Sequence, residues 1–260
     1  YVPLATAVWG GGYIGENLGA LDFAGGLVVH INAGVAALVL AIMIGPRLGY
    51  GTSAIRPHSL PLTLIGAGLL WFGWFGFNAG SALAADQAAA DAFMATQVAA
   101  GTAATVWLLV EKMVHGHATT LGFASGAVAG LVAITPAAGF VDPLGALVIG
   151  AVAGVVCFYA LRLKAIFKFD DSLDVVAVHL VGGIIGSVLL GVLAVDGVAG
   201  GSQLVKQIIS VVIAIVWSGA MTAILALLIN KFIGLRVTEE EERQGLDLSL
   251  HNEQGYLLTE

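Results

Sequence analysis

Charged residues are scarce in this sequence of 260 residues, where they make up only 10%. Soluble globular domains carry about 25% charged residues, so the composition argues against a soluble domain. Cysteine is almost absent as well: the single Cys157 excludes an internal disulfide, and no CxxC or other metal-ligand spacing occurs. We therefore expect neither a disulfide framework nor a metal site.

Hydrophobic residues, by contrast, are abundant: they make up 58% of the chain, and its mean hydropathy is +0.96. Thirty-six glycines accompany them, without the fixed period of collagen. Small residues allow helices in lipid to pack backbone against backbone. The composition therefore indicates a membrane protein built from closely packed helices.

Seven windows are apolar over about 20 residues, the length that a helix needs to cross a membrane. They are residues 22–45, 59–78, 90–111, 118–136, 143–162, 172–195 and 203–233. These windows do not alternate apolar and polar residues as the strands of a membrane barrel do. The sequence therefore predicts an all-α polytopic membrane protein with seven transmembrane helices.

Basic residues fall in alternate loops between these windows. Arg47 and Arg56 lie in the first loop, whereas the loops at 79–89, 137–142 and 196–202 contain no lysine or arginine. Because loops rich in lysine and arginine stay in the cytoplasm, we expect the first loop there. With seven spans, the C-terminus lies on the same side.

The chain divides into three predicted parts. Residues 1–9 read as the end of a preceding transmembrane helix, 10–234 form the membrane domain, and 235–260 form a polar cytoplasmic tail. The sequence shows no cleavable signal sequence and no initiator methionine. We therefore expect a further N-terminal part of the protein before Tyr1.

Two histidines stand deep inside predicted spans, each eight residues after an aspartate: His30 follows Asp22, and His179 follows Asp171. Ionisable residues within a membrane are costly and mark functional sites. The two spans run in opposite directions, as in inverted repeats whose site lies near the midplane. A rise of about 1.5 Å per residue carries each histidine about 12 Å inward from its aspartate, so we expect the two rings to lie close together.

Each of these residues also has a structural interpretation. A lone membrane histidine is often a helix-packing partner, and Asp22 and Asp171 could be N-caps. The remaining four histidines lie outside the predicted spans, where histidines are usually solvated and offer too few converging ligands for a metal.

The stretch DFAGGLVVHIN (22–32) resembles the signature of the ammonium transporter family, which comprises the Amt, methylammonium-permease and Rhesus groups. Similar segments follow in the family's order. They are GWFGFNAGSA (73–82), ITPAAGFV (134–141), DDSLDVVAVHLVGG (170–183), IVWSG (215–219) and GLRVTEEEERQGLD (234–247). The resemblance implies a homotrimer with a pore in each subunit and, in bacterial members, eleven helices, of which the seven spans are the fifth to the eleventh.

The resemblance also implies residue roles. His30 and His179 match the paired pore histidines, and Asp22 matches a buried aspartate that stabilises incoming ammonium indirectly. Two histidines can share a ring hydrogen bond, which suits a relay that passes a proton beside neutral ammonia. The implied function is selective transport of ammonium or ammonia with net movement of charge.

Further positions match the family outside the pore centre. Trp9 and Ser81 match outer-vestibule residues that recruit ammonium through cation–π attraction and a hydrogen bond. Phe77 matches a gate aromatic beneath that vestibule. Asp174 matches a family acidic position, and we expect it, like Asp171, to be structural. Without the resemblance, Trp9 and Phe77 would be interpreted as interface or packing residues.

The acidic tail is either a solvated face or, as the resemblance implies, a regulatory segment at which a PII-type signal protein blocks the inner pore mouth. The alternative function is an ammonium sensor that signals through this tail, and a Rhesus-type carrier of neutral gas is a closer alternative. No catalytic motif supports an enzyme, and no cofactor or nucleic-acid partner is expected. The implied partners are ammonium or ammonia and the lipid bilayer, and the implied location is the inner cell membrane.

Overall fold

The computed structural model describes residues 1–195 and 197–256, and the regular structure in these ranges is entirely helical. The α-helices are α1 (Val2–Trp9), α2 (Asn32–Ile44), α3 (Leu60–Gly80), α4 (Gln87–His115), α5 (Thr120–Ile134), α6 (Pro143–Ala160), α7 (Leu163–Phe167), α8 (Gly182–Leu193), α9 (Gly201–Phe232), α10 (Glu239–Gln244) and α11 (Leu246–His251). Short π-helices occupy Tyr13–Asn17, Gly26–Ile31 and Val176–Val181. The predicted all-α class is confirmed for these ranges, and the last four residues of the predicted tail lie outside them.

Six helical segments in the described ranges are long and apolar enough to cross a membrane, rather than the seven predicted. They are Gly26–Ile44, Leu60–Gly80, Gln87–His115, Pro143–Phe167, Val176–Leu193 and Gly201–Phe232. The prediction of a full span at 118–136 is wrong as to length, because α5 ends at Ile134. It stops there because Pro136 lacks the backbone N–H that a continuing helix needs.

After α5 the chain continues in non-helical form through the interior. Residues 135–140 form turns, and Thr135 is fully buried. The carbonyl oxygens of Thr135 and Pro136 accept hydrogen bonds from the N–H groups of Ala24 and Phe23, at 3.2 and 3.0 Å. Irregular backbone at membrane depth is tolerated where protein groups satisfy it, as they do here.

The two spans that carry the histidines also begin later than predicted. The windows at 22–45 and 172–195 become helical only at Gly26 and Val176. The residues before these points form loops instead, and aspartates in the loops accept hydrogen bonds from the backbone N–H groups of the helix starts.

Polar side chains determine where α3 to α6 begin. The capping residues are Ser59, Asp86, Thr119 and Asp142, each of which accepts a hydrogen bond from the backbone N–H three residues later, at 2.7 to 3.4 Å. Such a cap satisfies a donor that has no partner inside the helix. Pro143 follows the last cap as the first residue of α6, where its missing N–H costs nothing.

Small residues bring α4, α5 and α6 into close contact. A Cβ atom on Gly130 of α5, or on Gly150 of α6, would lie only 2.5 Å from the carbonyl oxygen of Ala99 in α4. Ala99 and the neighbouring Ala103 are fully buried. The three helices can therefore approach backbone to backbone only because these positions lack larger side chains, as the glycine-rich composition predicts.

Loops that carry basic residues meet at one end of the bundle. Arg47, just after α2, donates from Nε and Nη2 to the carboxylate of Asp170, at 2.8 and 2.7 Å. Arg236 of the tail donates to the carbonyl oxygen of Ile44, at 3.1 Å. The end of α2 thus lies beside the start of the segment that begins with Val176–Val181. The two histidine-bearing spans therefore run in opposite directions.

Candidate functional site

His30 and His179 meet inside the bundle. Their Nδ1 atoms lie 3.3 Å apart, and their ring centroids are 5.4 Å apart with 39° between the ring planes. His30 is only 2% exposed. A hydrogen bond between two ring nitrogens requires that one carries the proton and the other accepts it. The geometry therefore allows a single proton to belong to either ring.

Both histidines lie in π-helical turns, His30 in Gly26–Ile31 and His179 in Val176–Val181. Each turn runs directly into an α-helix, α2 or α8. Single π-helical turns are rare and occur frequently at functional sites. The same irregularity is thus present at the corresponding place in both predicted repeats.

Asp22 holds the first of these turns. Its buried carboxylate accepts hydrogen bonds from the N–H groups of the four residues 25–28, at 2.6 to 3.2 Å. These donors belong to the start of a helix, where no internal partner exists. Asp22 therefore acts as a helix cap placed three residues before the N-cap position. That position is Gly25, whose φ of +123° favours glycine.

Two acidic side chains support the start of the second histidine span. Asp171 is buried, and its Oδ2 accepts a hydrogen bond from the N–H of Val176 at 2.7 Å. Asp174 forms an ion pair with Lys164 at 2.5 Å and has a left-handed backbone conformation, with φ of +58°. Both carboxylates therefore contact protein groups at the end of the bundle that carries the basic loops.

The two histidine spans cross at corresponding glycines. A Cβ on Gly34 would lie 2.5 Å from the backbone nitrogen of Leu180, and one on Gly183 would lie 3.0 Å from Cγ1 of Ile31. Gly34 corresponds to Gly183 in the repeat, and Ile31 corresponds to Leu180, at the 149-residue separation of the two histidines. The contact is therefore reciprocal, as a two-fold relation between the spans requires.

Aromatic residues of α3 cover His30. The Trp74 indole stacks on the His30 ring with a centroid distance of 5.3 Å and 14° between the planes, and the Phe77 ring lies 6.2 Å away. Nε1 of Trp74 donates to Oγ1 of Thr135 at 2.9 Å, which fixes the indole plane. Neither the apolar pattern nor the resemblance assigns a role to Trp74. Its position three residues before Phe77, on the same helix face, was the available signal.

The residues predicted to recruit ammonium fall into two groups. Trp9 donates from Nε1 to the backbone carbonyl of Asp22 at 2.7 Å, and both residues line a cavity of about 410 Å³. Ser81, at the end of α3, donates from its hydroxyl to the carbonyl of Phe77 at 2.8 Å. Among the described residues, the cavity lining includes Glu16 but not Ser81. The structure therefore links Trp9 to Asp22 and Ser81 to Phe77.

The Nε2 atom of His30 is buried and has no hydrogen-bond partner within residues 1–195 and 197–256. Buried polar atoms are normally paired, so this nitrogen can accept a hydrogen bond from, or donate one to, a small polar molecule beside the pair. Within the same ranges, no three or more histidine, cysteine, aspartate or glutamate side chains are grouped so that they could hold a metal ion.

Apolar helices, an inverted repeat and an ionisable pair at its centre define a polytopic membrane protein with the architecture of membrane transporters. The model of one family, the Ammonium Transporter Family, matches residues 1–256. The chain belongs to the ammonium transporter family.

Relatives and solved structures agree with this membership. Ammonium transporter Amt1 of Archaeoglobus fulgidus is 51% identical over 264 residues, which cover 98% of this chain and 67% of that protein. The crystal structure of Saccharomyces cerevisiae Mep2 matches with a TM-score of 0.84 and 38% identity over 92% of this chain and 58% of that one. A solved Sensor Amt Protein matches with a TM-score of 0.89 and 32% identity, over 95% and 65%. The chain spans 55% to 67% of the length of the curated relatives that it matches first.

Proposed function

We propose that the protein transports ammonium across the membrane, as ammonia and a proton, and that His30 and His179 relay the proton. Membership of the ammonium transporter family supports the substrate. The relay rests on the 3.3 Å contact between the two Nδ1 atoms. Beside this contact, Nε2 of His30 is buried and has no hydrogen-bond partner among the described residues.

The proposed relay conserves charge at each step. An ammonium ion that donates a proton to one imidazole becomes neutral ammonia, and the positive charge passes to the ring. Apolar surroundings disfavour the charged ion and so favour this transfer. The charged ring passes its Nδ1 proton along the hydrogen bond to Nδ1 of the second imidazole, which releases the proton of its own Nε2 to ammonia or water beyond the pair. Both rings then return to their first tautomers, which completes a cycle. Each cycle moves one ammonia and one proton, and therefore one net charge.

We further propose that Trp9 and Ser81 recruit ammonium and that Phe77 forms part of a gate. Trp9 is 46% exposed beside the cavity that it lines with Asp22, so its indole face is available to attract a cation. The Ser81 oxygen keeps acceptor capacity beyond the bond that it donates. Asp22 acts indirectly, because backbone N–H groups occupy its carboxylate.

Currents across liposome membranes test both transport and the relay. The full-length protein should give a saturable ammonium current, a smaller methylammonium current and no potassium current. His30→Ala and His179→Ala should each lower the ammonium current or remove its selectivity over potassium. His117→Ala, in the exposed loop after α4, is the matched control and should change neither. Unaltered current and selectivity in both pore variants would refute the relay, and a wild type without ammonium current would refute transport with net movement of charge.

The attachment of the tail supports a second function, ammonium sensing. Arg236 Nη2 donates to Glu242 at 2.8 Å, and Glu242 accepts a hydrogen bond from the N–H of Leu48 at 2.8 Å. The tail is thus tied to the loop after α2, and a Sensor Amt Protein is among the structural neighbours. If ammonium changes the protease sensitivity of the tail while no current flows, sensing is favoured over transport with net movement of charge.

From the resemblance we also propose a homotrimer in the inner cell membrane, with residues 235–260 in the cytoplasm and a PII-type protein bound there. The contact between the tail and the basic end of the bundle supports this orientation. Chemical cross-linking measures the number of subunits. Binding of a PII-type protein to full-length assemblies, with and without residues 236–260, tests the partner, and equal binding would argue against the tail.

A further inference from the structure

Gln207 of α9 is fully buried, and both ends of its amide are paired. Its Oε1 accepts a hydrogen bond from the N–H of Leu21, and its Nε2 donates to the carbonyl of the same residue, both at 2.8 Å. Nε2 also donates to the carbonyl of Ser187, and Oε1 accepts from Gln203, both at 3.1 Å. The side chain therefore clamps one loop residue by both of its backbone groups.

This clamp joins the supports of the two histidines. Leu21 directly precedes Asp22, whose carboxylate holds the π-helical turn that contains His30. Ser187 lies on α8, eight residues after His179 in the same continuous helical segment. A single side chain from a third helix thus bonds to the loop before one histidine and to the helix of the other.

We propose that Gln207 is a positioning residue that sets the distance between the two histidine spans and so keeps the rings of His30 and His179 within hydrogen-bond reach. It acts through the loop at Leu21 and not on the rings themselves. The transport readout of this inference rests on the proposed function, whereas the ring geometry can be measured without it. Displacing hydrogen-bonded reacting groups by about 1 Å can cost about a hundredfold in rate, so such a clamp has a functional consequence.

Gln203 provides an internal comparison. It lies one turn earlier on the same helix, is also buried, and donates to the carbonyl of Gly19 at 3.2 Å and to Gln207 at 3.1 Å. The first bond ends two residues before Leu21 in the same loop, and the second ends on Gln207 itself. The Gln203 amide makes two hydrogen bonds and the Gln207 amide four, and only the bonds of Gln207 reach Leu21 and Ser187. Positioning of the pair therefore requires Gln207 rather than Gln203.

The variants Gln207→Met and Gln203→Met remove the amides and keep side chains of similar length. Each full-length protein is labelled with 15N-histidine, placed in lipid bilayers and examined by solid-state NMR for a 15N–15N correlation through the hydrogen bond between the two Nδ1 atoms. The correlation is assigned by its loss in His30→Ala. We expect the correlation in the wild type and in Gln203→Met, and its loss in Gln207→Met. Ammonium current should fall by about tenfold or more in Gln207→Met, because the rings are displaced, and should be largely kept in Gln203→Met.

A Gln207→Met protein that keeps the correlation overturns the proposal, whatever its current. A wild type without the correlation overturns it too, because there is then no pair to position. A wild type with the correlation but without ammonium current overturns the proposed function instead, and the clamp is judged on the correlation alone. Gln207→Glu keeps the bond from Leu21 N–H and loses at least one of the two donations, because a carboxyl group carries at most one proton, so it replaces Gln207→Met if that variant does not fold. Loss of the correlation in Gln207→Glu supports the clamp, and its retention overturns it.

Discussion

Replacing Asp22 by asparagine should destabilise the protein, because four backbone N–H groups share its carboxylate. Oδ1 accepts from Gly25 and Gly26, and Oδ2 accepts from Leu27 and Val28. Asparagine offers one acceptor oxygen, and its amide NH2 would face the other two buried N–H groups. Each unsatisfied buried donor costs about 1–3 kcal/mol, which gives about 2–6 kcal/mol for two. Because the buried charge disappears as well, we expect a loss in the lower half of this range.

Equilibrium unfolding in mixed micelles titrated with sodium dodecyl sulfate measures this free energy. Asp142→Asn is the matched control, because Asp142 caps α6 through one bond, from the N–H of Gly145 at 2.7 Å. Asparagine caps helices about as well as aspartate, so the control should change the free energy of unfolding by less than about 0.5 kcal/mol. Equal changes in the two variants would show that the shared carboxylate is not what stabilises the turn.

Two further predictions concern a helix crossing and an ion pair. Gly34→Ala places a Cβ about 2.5 Å from the backbone nitrogen of Leu180 and should lower the free energy of unfolding by about 1–3 kcal/mol in the same assay. Gly68→Ala is the control, because Gly68 faces open space, and it should be neutral or slightly stabilising. The Arg47 guanidinium, through its hydrogen bonds, lowers the pKa of the Asp170 carboxyl. The ion pair therefore stabilises the folded protein at neutral pH, and this stabilisation is lost as the pH falls below about 4 and through the lowered pKa. Asp170→Asn mimics the protonated form, and trypsin should then cleave after Arg47 faster than in the wild type at pH 8; an unchanged rate would contradict the contribution of the pair.

The sequence predicts the long helices well where the apolar runs are bounded by capping or turn residues. The windows at 59–78 and 203–233 agree with α3 and α9 to within two residues at each end. The window at 118–136 also agrees with α5 to within two residues at each end, but α5 is shorter than a full span, because Pro136 ends the helix while the chain stays buried. The π-helical turns could not be predicted from local sequence, since they depend on carboxylates that capture backbone donors several residues away.

The pairing of His30 with His179 follows from spacing and direction, and both can be read from the sequence. Trp74 could not be assigned in the same way, because aromatic residues are common in apolar spans and only the fold stacks this one on a histidine. Gln207 could have been noticed in the sequence, because it is an amide in an apolar span, four residues after Gln203. Its hydrogen-bond partners could not be predicted, because Leu21 and Ser187 approach it only in the folded protein.

The two histidine spans are related by an approximate two-fold axis. His30 and His179 occupy equivalent positions in the repeat, and they meet on this axis. Contacts away from that axis occur twice, as the glycine crossings do, whereas the ring contact occurs once. A hydrogen bond between two imidazoles still needs one donor and one acceptor, so the surroundings must decide between them. They differ: Asp22 captures four backbone donors and Asp171 one among the described residues. His30 is also stacked on Trp74 and more deeply buried than His179. With unequal supports, one arrangement of the proton between the rings is preferred at rest, so substitutions at Asp22 and Asp171 should not be equivalent.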